Sequence, residues 1–301
     1  MENETMFSGL SAFPLTPLNE KGIDEAVFVR LIERLNAAGV DSVCALGSTG
    51  SYAYLTRHER LRVAQLAVQH AGDVPVIAGI GALRTRDVLE LAQDAQKAGA
   101  GGVLLAPVSY QKLSDDEVFG LFDAVTRSLS VPLCVYDNPA TTHFEFSDEL
   151  HGRIAQLPNV ASIKIPGVPA DPEAARARVD LLRALIPRHV TIGVSGDAFA
   201  ATGLNAGCEA WYSVIAGLFP QIALAITRNA QAGNAREATG LSGRLAPLWA
   251  LFLQYGSLRV IATAAELRGL VATPCLPLPV KSLQGEVRQR LAAILDELEL
   301  A

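Results

Sequence analysis

Strand-like apolar runs recur along the first two thirds of the chain, and their spacing constrains the fold more than any other feature. They lie near Phe7–Phe13, Val40–Leu46, Val74–Ile80, Gly102–Ala106, Val131–Tyr136, Val160–Ile165, Val190–Val194 and Glu209–Val214. Through the middle, strand starts follow one another at roughly 30 residues, the size of one βα crossover unit. Helical patterns fill the intervals; Val27, Phe28, Leu31, Ile32 and Leu35 have the i, i+3, i+4, i+7 spacing of one helix face. Asp24 is the expected N-cap of that helix and Gly39 its C-terminal glycine. The phrases Ala38-Gly39-Val40, Ala98-Gly99-Ala100 and Ala206-Gly207-Cys208 repeat one helix-to-strand turn.

Eight such strands with seven or eight helices between them predict an α/β fold, a (β/α)8 TIM barrel. An open doubly wound sheet is the structural competitor. It is disfavoured because Pro14, Thr16 and Pro17 follow the first strand, where a glycine-rich phosphate fingerprint would stand. After Val214 the pattern is wholly helical, over about Leu218–Ala232, Ala235–Gln254, Ser257–Arg268 and Ser282–Leu298, with a proline-rich break at Thr273–Pro279. A catalytic barrel over residues 1–234 is therefore expected, followed by a C-terminal helical extension over 235–301 packed on the barrel or on a partner subunit.

Composition removes several function classes. Of 301 residues, 50% are hydrophobic and 19% charged, so the chain can bury a large core. A net charge of -6 without a basic run argues against nucleic acid as a partner. No apolar stretch approaches the ~20 residues of a spanning helix, so no membrane partner is expected. The start, Met-Glu-Asn-Glu-Thr, lacks the basic and apolar regions of a signal peptide, and the reading is cytoplasmic. Cys44, Cys134, Cys208 and Cys275 are scattered, as small core residues are, with neither metal-ligand spacing nor a disulfide framework.

The chemistry-bearing residues gather at the C-terminal ends of the strands, where barrel active sites lie. Lys164 stands near the end of the sixth strand, Val160–Ile165, and is the only one of five lysines in an apolar strand. Burial lowers a lysine pKa, and a neutral amine attacks a carbonyl to form a Schiff base. Strand parity places Lys164, Ser162 and Val160 on the lumen side, with Ala161, Ile163 and Ile165 toward the helices. Tyr136 ends the fifth strand and can share that lumen, a phenol suited to moving protons beside an amine. Gly47-Ser48-Thr49-Gly50-Ser51 ends the second strand; its hydroxyls and backbone N–H groups suit a carboxylate. Taken singly, each has a plainer reading: a lysine snorkelling at a strand end, a packed tyrosine, an ordinary glycine turn, and an Asp197 that caps the helix starting near Ala198. Their co-location on strands two, five and six favours a site. The five histidines read mostly as helix or loop surface residues; only His143 is near enough in sequence to reach the substrate mouth, and surface is the favoured reading for it too.

These pieces, Gly47-Ser48-Thr49-Gly50, Tyr136-Asp137-Asn138-Pro139, Ile163-Lys164 and Ser195-Gly196-Asp197, together with Phe13-Pro14-Leu15-Thr16-Pro17, resemble the dihydrodipicolinate synthase / N-acetylneuraminate lyase family of class I aldolases in order and spacing. The resemblance spans nearly the whole chain. It implies that Lys164 forms a Schiff base with the keto carbon of pyruvate. It implies that Ser48 and Thr49, in the Gly47 loop, hold the pyruvate carboxylate, and that Tyr136 relays protons. It further implies a homotetramer built as a dimer of dimers, with no metal or organic cofactor. Tyr110, after the fourth strand, would correspond to a tyrosine that reaches across the dimer into the neighbouring proton relay.

The sequence departs from that pattern at several places. Ser51 stands where the family usually has Glu. Thr141 stands where dihydrodipicolinate synthases proper carry an arginine for the carboxylate of aspartate semialdehyde, and a guanidinium fork has no equivalent in threonine. Tyr212, on the eighth strand, replaces a smaller residue, so it is expected to reshape the far side of the substrate pocket. The reading is a pyruvate-dependent aldolase or lyase that makes or cleaves a 2-keto-3-deoxy (4-hydroxy-2-oxo) acid, with a neutral or hydroxylated aldehyde as second substrate. The alternatives are 4-hydroxy-tetrahydrodipicolinate synthesis, a Schiff-base dehydratase of keto-deoxy sugar acids, a binding protein without activity, and a flavin- or phosphate-binding barrel.

Overall fold

A computed structural model of the chain describes residues 6–301; the acidic N-terminal residues 1–5 lie outside the described residues. The alternation resolves into eight parallel strands: β1 (Gly9–Ala12), β2 (Ser42–Ala45), β3 (Val76–Gly79), β4 (Gly102–Leu105), β5 (Leu133–Tyr136), β6 (Val160–Ile165), β7 (Thr191–Val194) and β8 (Ala210–Ser213). Each pairs with its neighbours in chain order, and β1 pairs with both β8 and β2, which closes the barrel. A short hairpin, Leu18–Asn19 against Gly22–Ile23, interrupts the first β-to-α connection.

Five of the eight covering helices begin on a side-chain cap. α1 (Glu25–Ala38) starts on Asp24, whose carboxylate accepts from the Val27 N–H, and ends at Gly39 in the left-handed region. α2 (Arg57–His70) opens with a Thr56–Glu59 capping box and α4 (Asp115–Thr126) with Ser114–Glu117. α3 (Thr85–Lys97), α5 (Asp148–Ala155), α6 (Pro172–Leu185), α7 (Ala200–Asn205) and α8 (Pro220–Gln231) complete the ring. The repeated Ala-Gly phrase has one physical origin: Gly39, Gly99 and Gly207 all have positive φ. After α3 and α7 the next N–H, of Ala100 or Cys208, returns to the carbonyl of Ala95 or Gly203 and seals the helix end.

Two apolar layers follow from strand parity. Outward residues such as Val43, Ala45, Val103, Val135 and Ile163 pack with the helices, while Cys44, Ile77, Leu104, Cys134, Tyr136 and Tyr212 fill the lumen. The first run is a strand only over Gly9–Ala12. Phe7 lies at the N-terminal end of the lumen, where a Cβ on Gly102 would come within 3.1 Å of its ring.

Parity fails at two expected positions, 160 and 161. The β5–β6 ladder shifts register between Leu133, opposite Val160, and Cys134, opposite Ser162. Ala161 is the extra residue of this bulge. Val160 therefore joins the helix-facing layer, while Ala161 packs against the lumen residues. Beyond the bulge Ser162 and Lys164 face the lumen as expected, and Lys164 lies level with Tyr136 on β5 and Gly193 on β7.

The helix expected over Ala235–Gln254 is two helices, α9 (Ala235–Arg244) and α10 (Ala246–Tyr255). Pro247 has no N–H to give to Gly243 and its ring crowds that carbonyl, so the first helix stops and the proline sits in the opening turn of the next. α11 (Ser257–Leu267) and α12 (Gly285–Glu297) complete the extension, held together by buried Glu266, which accepts from Ser282 Oγ at 2.6 Å and pairs with Arg288. α10 packs against the turn Asp197–Phe199 after β7, which places the extension beside the C-terminal mouth of the barrel. No helix among the described residues is long and apolar enough to cross a membrane.

Candidate active site

The amine of Lys164 sits in an aromatic cage rather than in an ion pair. Its Nζ lies 4.3 Å from the ring centroid of Tyr136, 5.1 Å from Phe13 and 5.7 Å from Tyr212. The residue is 4% exposed. Burial is the largest influence on its pKa and brings it down to about 8; Cys134, Cys44, Asp197 and Asp137 oppose the shift. An amine with that pKa is half neutral at about pH 8, so a far larger fraction than for an ordinary lysine is in the state a nucleophile requires.

Tyr136 completes the reacting pair. The backbone N–H of the next residue, Asp137, donates to the Lys164 carbonyl at 3.0 Å, so the ladder itself holds phenol and amine side by side. Burial pushes the phenol pKa well above its usual value, and a hydrogen bond to Ser48 works against that rise. Ser48 Oγ is 3.5 Å from Tyr136 Oη. A second partner, absent from the sequence-based reading, is Asn138, whose Nδ2 donates to the same phenol oxygen at 2.8 Å. Its signal was the strand period: residues 136 and 138 share a face.

The loop after β2 brings Ser48 and Thr49 over the barrel because β3 ends in glycine. A Cβ on Gly79 would stand 1.9 Å from the Leu46 carbonyl oxygen, so only glycine lets the chain cross there. Gly47 has the same role toward Phe13, whose ring a Cβ would approach to 2.5 Å. Among the described residues no backbone carbonyl accepts from the Ser48 and Thr49 N–H groups, and the buried hydroxyls of Thr16 and Ser51 have no partner. Ser48 Oγ reaches the Tyr136 hydroxyl, and the unclaimed N–H groups of Ser48 and Thr49 make the loop the kind of surface that takes a carboxylate.

Tyr212 forms the floor and does not line the mouth. It is 1% exposed, and its Oη meets Ser162 Oγ at 2.6 Å and accepts from Cys134 Sγ at 3.4 Å. Gly193 makes room for it, since a Cβ there would fall 2.2 Å from the Tyr212 ring. Tyr110 is 91% exposed on the loop after β4 and stands outside this cluster in its own chain. Thr141 is exposed, in the helical turn Pro139–Thr142.

Two expected assignments change. Asp197 does not cap its own helix; its carboxylate is 4% exposed and accepts from Trp211 Nε1 and from the N–H groups of Val214 and Ile215, so it ties the loop after β7 to the loop after β8. His151 is not a surface residue. It is 1% exposed, stacked on Phe146 with ring centroids 4.9 Å apart, and its Nε2 lies 3.4 Å from Asp137 Oδ2. Helical spacing contained that signal, because Leu150, His151, Ile154 and Ala155 form the buried face of α5. His143 is exposed, in the left-handed region at the end of the Pro139–Thr142 turn. The four cysteines are free and buried, and no group of three or more His, Cys, Asp or Glu among the described residues is placed to hold a metal ion.

A closed parallel barrel with a caged lysine on β6 and a phenol on β5 can be compared directly with known proteins. The Dihydrodipicolinate synthetase family profile matches residues 6–298. The chain belongs to that family. It is similar to the crystal structure of dihydrodipicolinate synthase from Agrobacterium tumefaciens str. C58, with 47% identity and a TM-score of 0.94 over 98% of this chain and 99% of that one. A 4-hydroxy-tetrahydrodipicolinate synthase of Parvibaculum lavamentivorans is 34% identical over 95% of this chain and 96% of its own length. A chain described as the first monomeric dihydrodipicolinate synthase variant shares the fold, at 24% identity and a TM-score of 0.89. This member of the dihydrodipicolinate synthetase family is accordingly an enzyme of the carbon–carbon lyase (aldolase) type.

Proposed function

We propose that the enzyme binds pyruvate as a Schiff base on Lys164 and joins it to an aldehyde, or runs the same steps backward on a 4-hydroxy-2-oxo acid. The observation that carries this reading is the buried, unpaired amine of Lys164 beside the Tyr136 phenol. Neutral Lys164 attacks the keto carbon while Ser48 and Thr49 hold the carboxylate. Tyr136 gives its proton to the carbinolamine oxygen, water leaves, and an iminium remains. The Tyr136 phenolate takes a proton from the methyl carbon to give an enamine, whose carbon attacks the aldehyde; the phenol returns that proton to the aldehyde oxygen, and hydrolysis frees the product and Lys164. The iminium is the electron sink, and the scheme includes no metal or organic cofactor.

Threonine at position 141 favours a neutral or hydroxylated aldehyde, because no guanidinium stands there to grip a second carboxylate. The names of the relatives favour a second reading, condensation with aspartate semialdehyde to 4-hydroxy-tetrahydrodipicolinate. Borohydride trapping with pyruvate, read by intact mass and peptide mapping, tests the shared step; an adduct on Lys164 is expected, and none, or one elsewhere, overturns it. Trapping is expected to quicken as pH rises through about 8, the value set by burial of Lys164. Tyr136→Phe is expected to lower kcat by about 10²- to 10³-fold, as loss of a general acid does. An aldehyde panel then separates the two readings by which partner gives carbon–carbon bond formation. Loss of water without cleavage of a keto-deoxy acid would instead identify a dehydratase.

The quaternary reading is a homotetramer in which Tyr110 crosses to a neighbour. Its support is the exposure of Tyr54 at 49%, Leu83 at 64% and Tyr110 at 91% on the successive loops after β2, β3 and β4. Sedimentation equilibrium is expected to give four times the 31.9 kDa chain mass, and a monomer would remove the role of Tyr110.

A further inference from the structure

Tyr136 must hand over a proton inside a pocket that penalises its phenolate, and one fixed side chain addresses that difficulty. Asn138 lies two residues beyond Tyr136 on the same face, with Nδ2 donating to Tyr136 Oη at 2.8 Å. Its backbone is held from several directions. Pro139 keeps it out of the helical region, and it is observed at φ -144 and ψ 68. Its carbonyl accepts from the N–H groups of Thr141 and Thr142 and from Thr142 Oγ1, each at 3.0 Å. The amide is thus aimed before any substrate arrives.

We propose that Asn138 is a positioning residue for the proton relay, its amide N–H occupying the Tyr136 oxygen as a donor and so directing the phenol's own proton toward Ser48 and the substrate. The inference rests on the Schiff-base reading above. An amide N–H can only donate, so the phenol oxygen accepts from it and the phenol hydrogen is left to point elsewhere. Ser48 Oγ, at 3.5 Å, is the other polar neighbour of that oxygen among the described residues. When Tyr136 protonates the carbinolamine oxygen, the carbon–oxygen bond breaks and water departs. The nitrogen lone pair forms the iminium, and the negative charge stays on the phenolate. The Asn138 N–H is then a preorganised donor to a developing anion, the arrangement that lowers such barriers most effectively.

The test compares parent, Asn138→Ala and Asn138→Asp by single-turnover borohydride trapping of pyruvate across pH, with thermal melts as a check on folding. Asn138→Ala is expected to reach the parent's final extent of Lys164 adduct, but on the order of 10- to 100-fold more slowly. The rise near pH 8 from Lys164 should stay in place, so the loss is one of rate at every pH and not a shift of the amine's titration. Asn138→Asp should lose more, because a carboxylate draws the phenol proton to itself. A parental rate and pH profile in Asn138→Ala would overturn the proposal. So would parental activity in Asn138→Asp, which would mean that the amide presents its oxygen. If the parent itself traps no pyruvate, it is the Schiff-base reading that has failed.

Discussion

Lys164→Met is expected to abolish aldol turnover while making the folded protein more stable. The loss should be on the order of 10⁴-fold or greater, since the covalent route disappears with the amine. The gain follows from the pKa. Burial lowers Lys164 from 10.5 to about 8, so at pH 7 the folded state holds a charge it would rather shed. That difference corresponds to up to about 3 kcal/mol, reduced by attraction to the surrounding rings of Tyr136, Phe13 and Tyr212. Between about 8 and 10.5 the unfolded chain binds the proton and the folded one does not, so parental stability rises with pH through that window. The advantage of methionine should therefore be largest below pH 8 and vanish above 10.5. Denaturant melts at pH 7 and pH 10 measure it; a variant less stable than the parent at pH 7 would mean that the lysine is structural.

Asp197→Ala is expected to destabilise the chain by at least about 3 kcal/mol, with no direct part in the chemistry. Three donors would lose their acceptor together: Trp211 Nε1 at 3.0 Å, the Val214 N–H at 3.1 Å and the Ile215 N–H at 2.7 Å. Each buried donor left unpaired costs about 1–3 kcal/mol, and some entry of water offsets part of the sum. Asp197 is also one of the charges that hold up the Lys164 pKa, so the milder Asp197→Asn should move the onset of pyruvate trapping to lower pH. Urea melts and the trapping profile read the two effects separately. Unchanged stability in Asp197→Ala would show that the loops after β7 and β8 hold their places without it.

The elements were legible because their signals are local. Alternating runs, the Asp24 cap, and the Gly39, Gly99 and Gly207 turns each depend on a few adjacent residues, and the structure repeats them within a residue or two at most ends. The long helix over Ala235–Gln254 was legible as helical but not as two helices, because the apolar spacing runs through Pro247 while the backbone bond does not. Positions 160 and 161 were misread because period-two parity assumes an unbroken ladder, and the bulge at Ala161 belongs to a pairing with β5 that strand six alone does not contain.

The sequence by itself determined the barrel, the placement of Ser48, Thr49, Tyr136 and Lys164 at strand ends, and the family. Parallel strands with helical crossovers must put all their C-terminal ends on one face, so residues far apart in the chain converge without any knowledge of contacts. Tertiary structure alone decided the rest: Lys164 enclosed by three rings, Asn138 bonded to the Tyr136 oxygen, Asp197 reaching past its own helix, and His151 buried against Asp137. These depend on the distance and direction between side chains of different elements. Packing sets those quantities, and no local period encodes them.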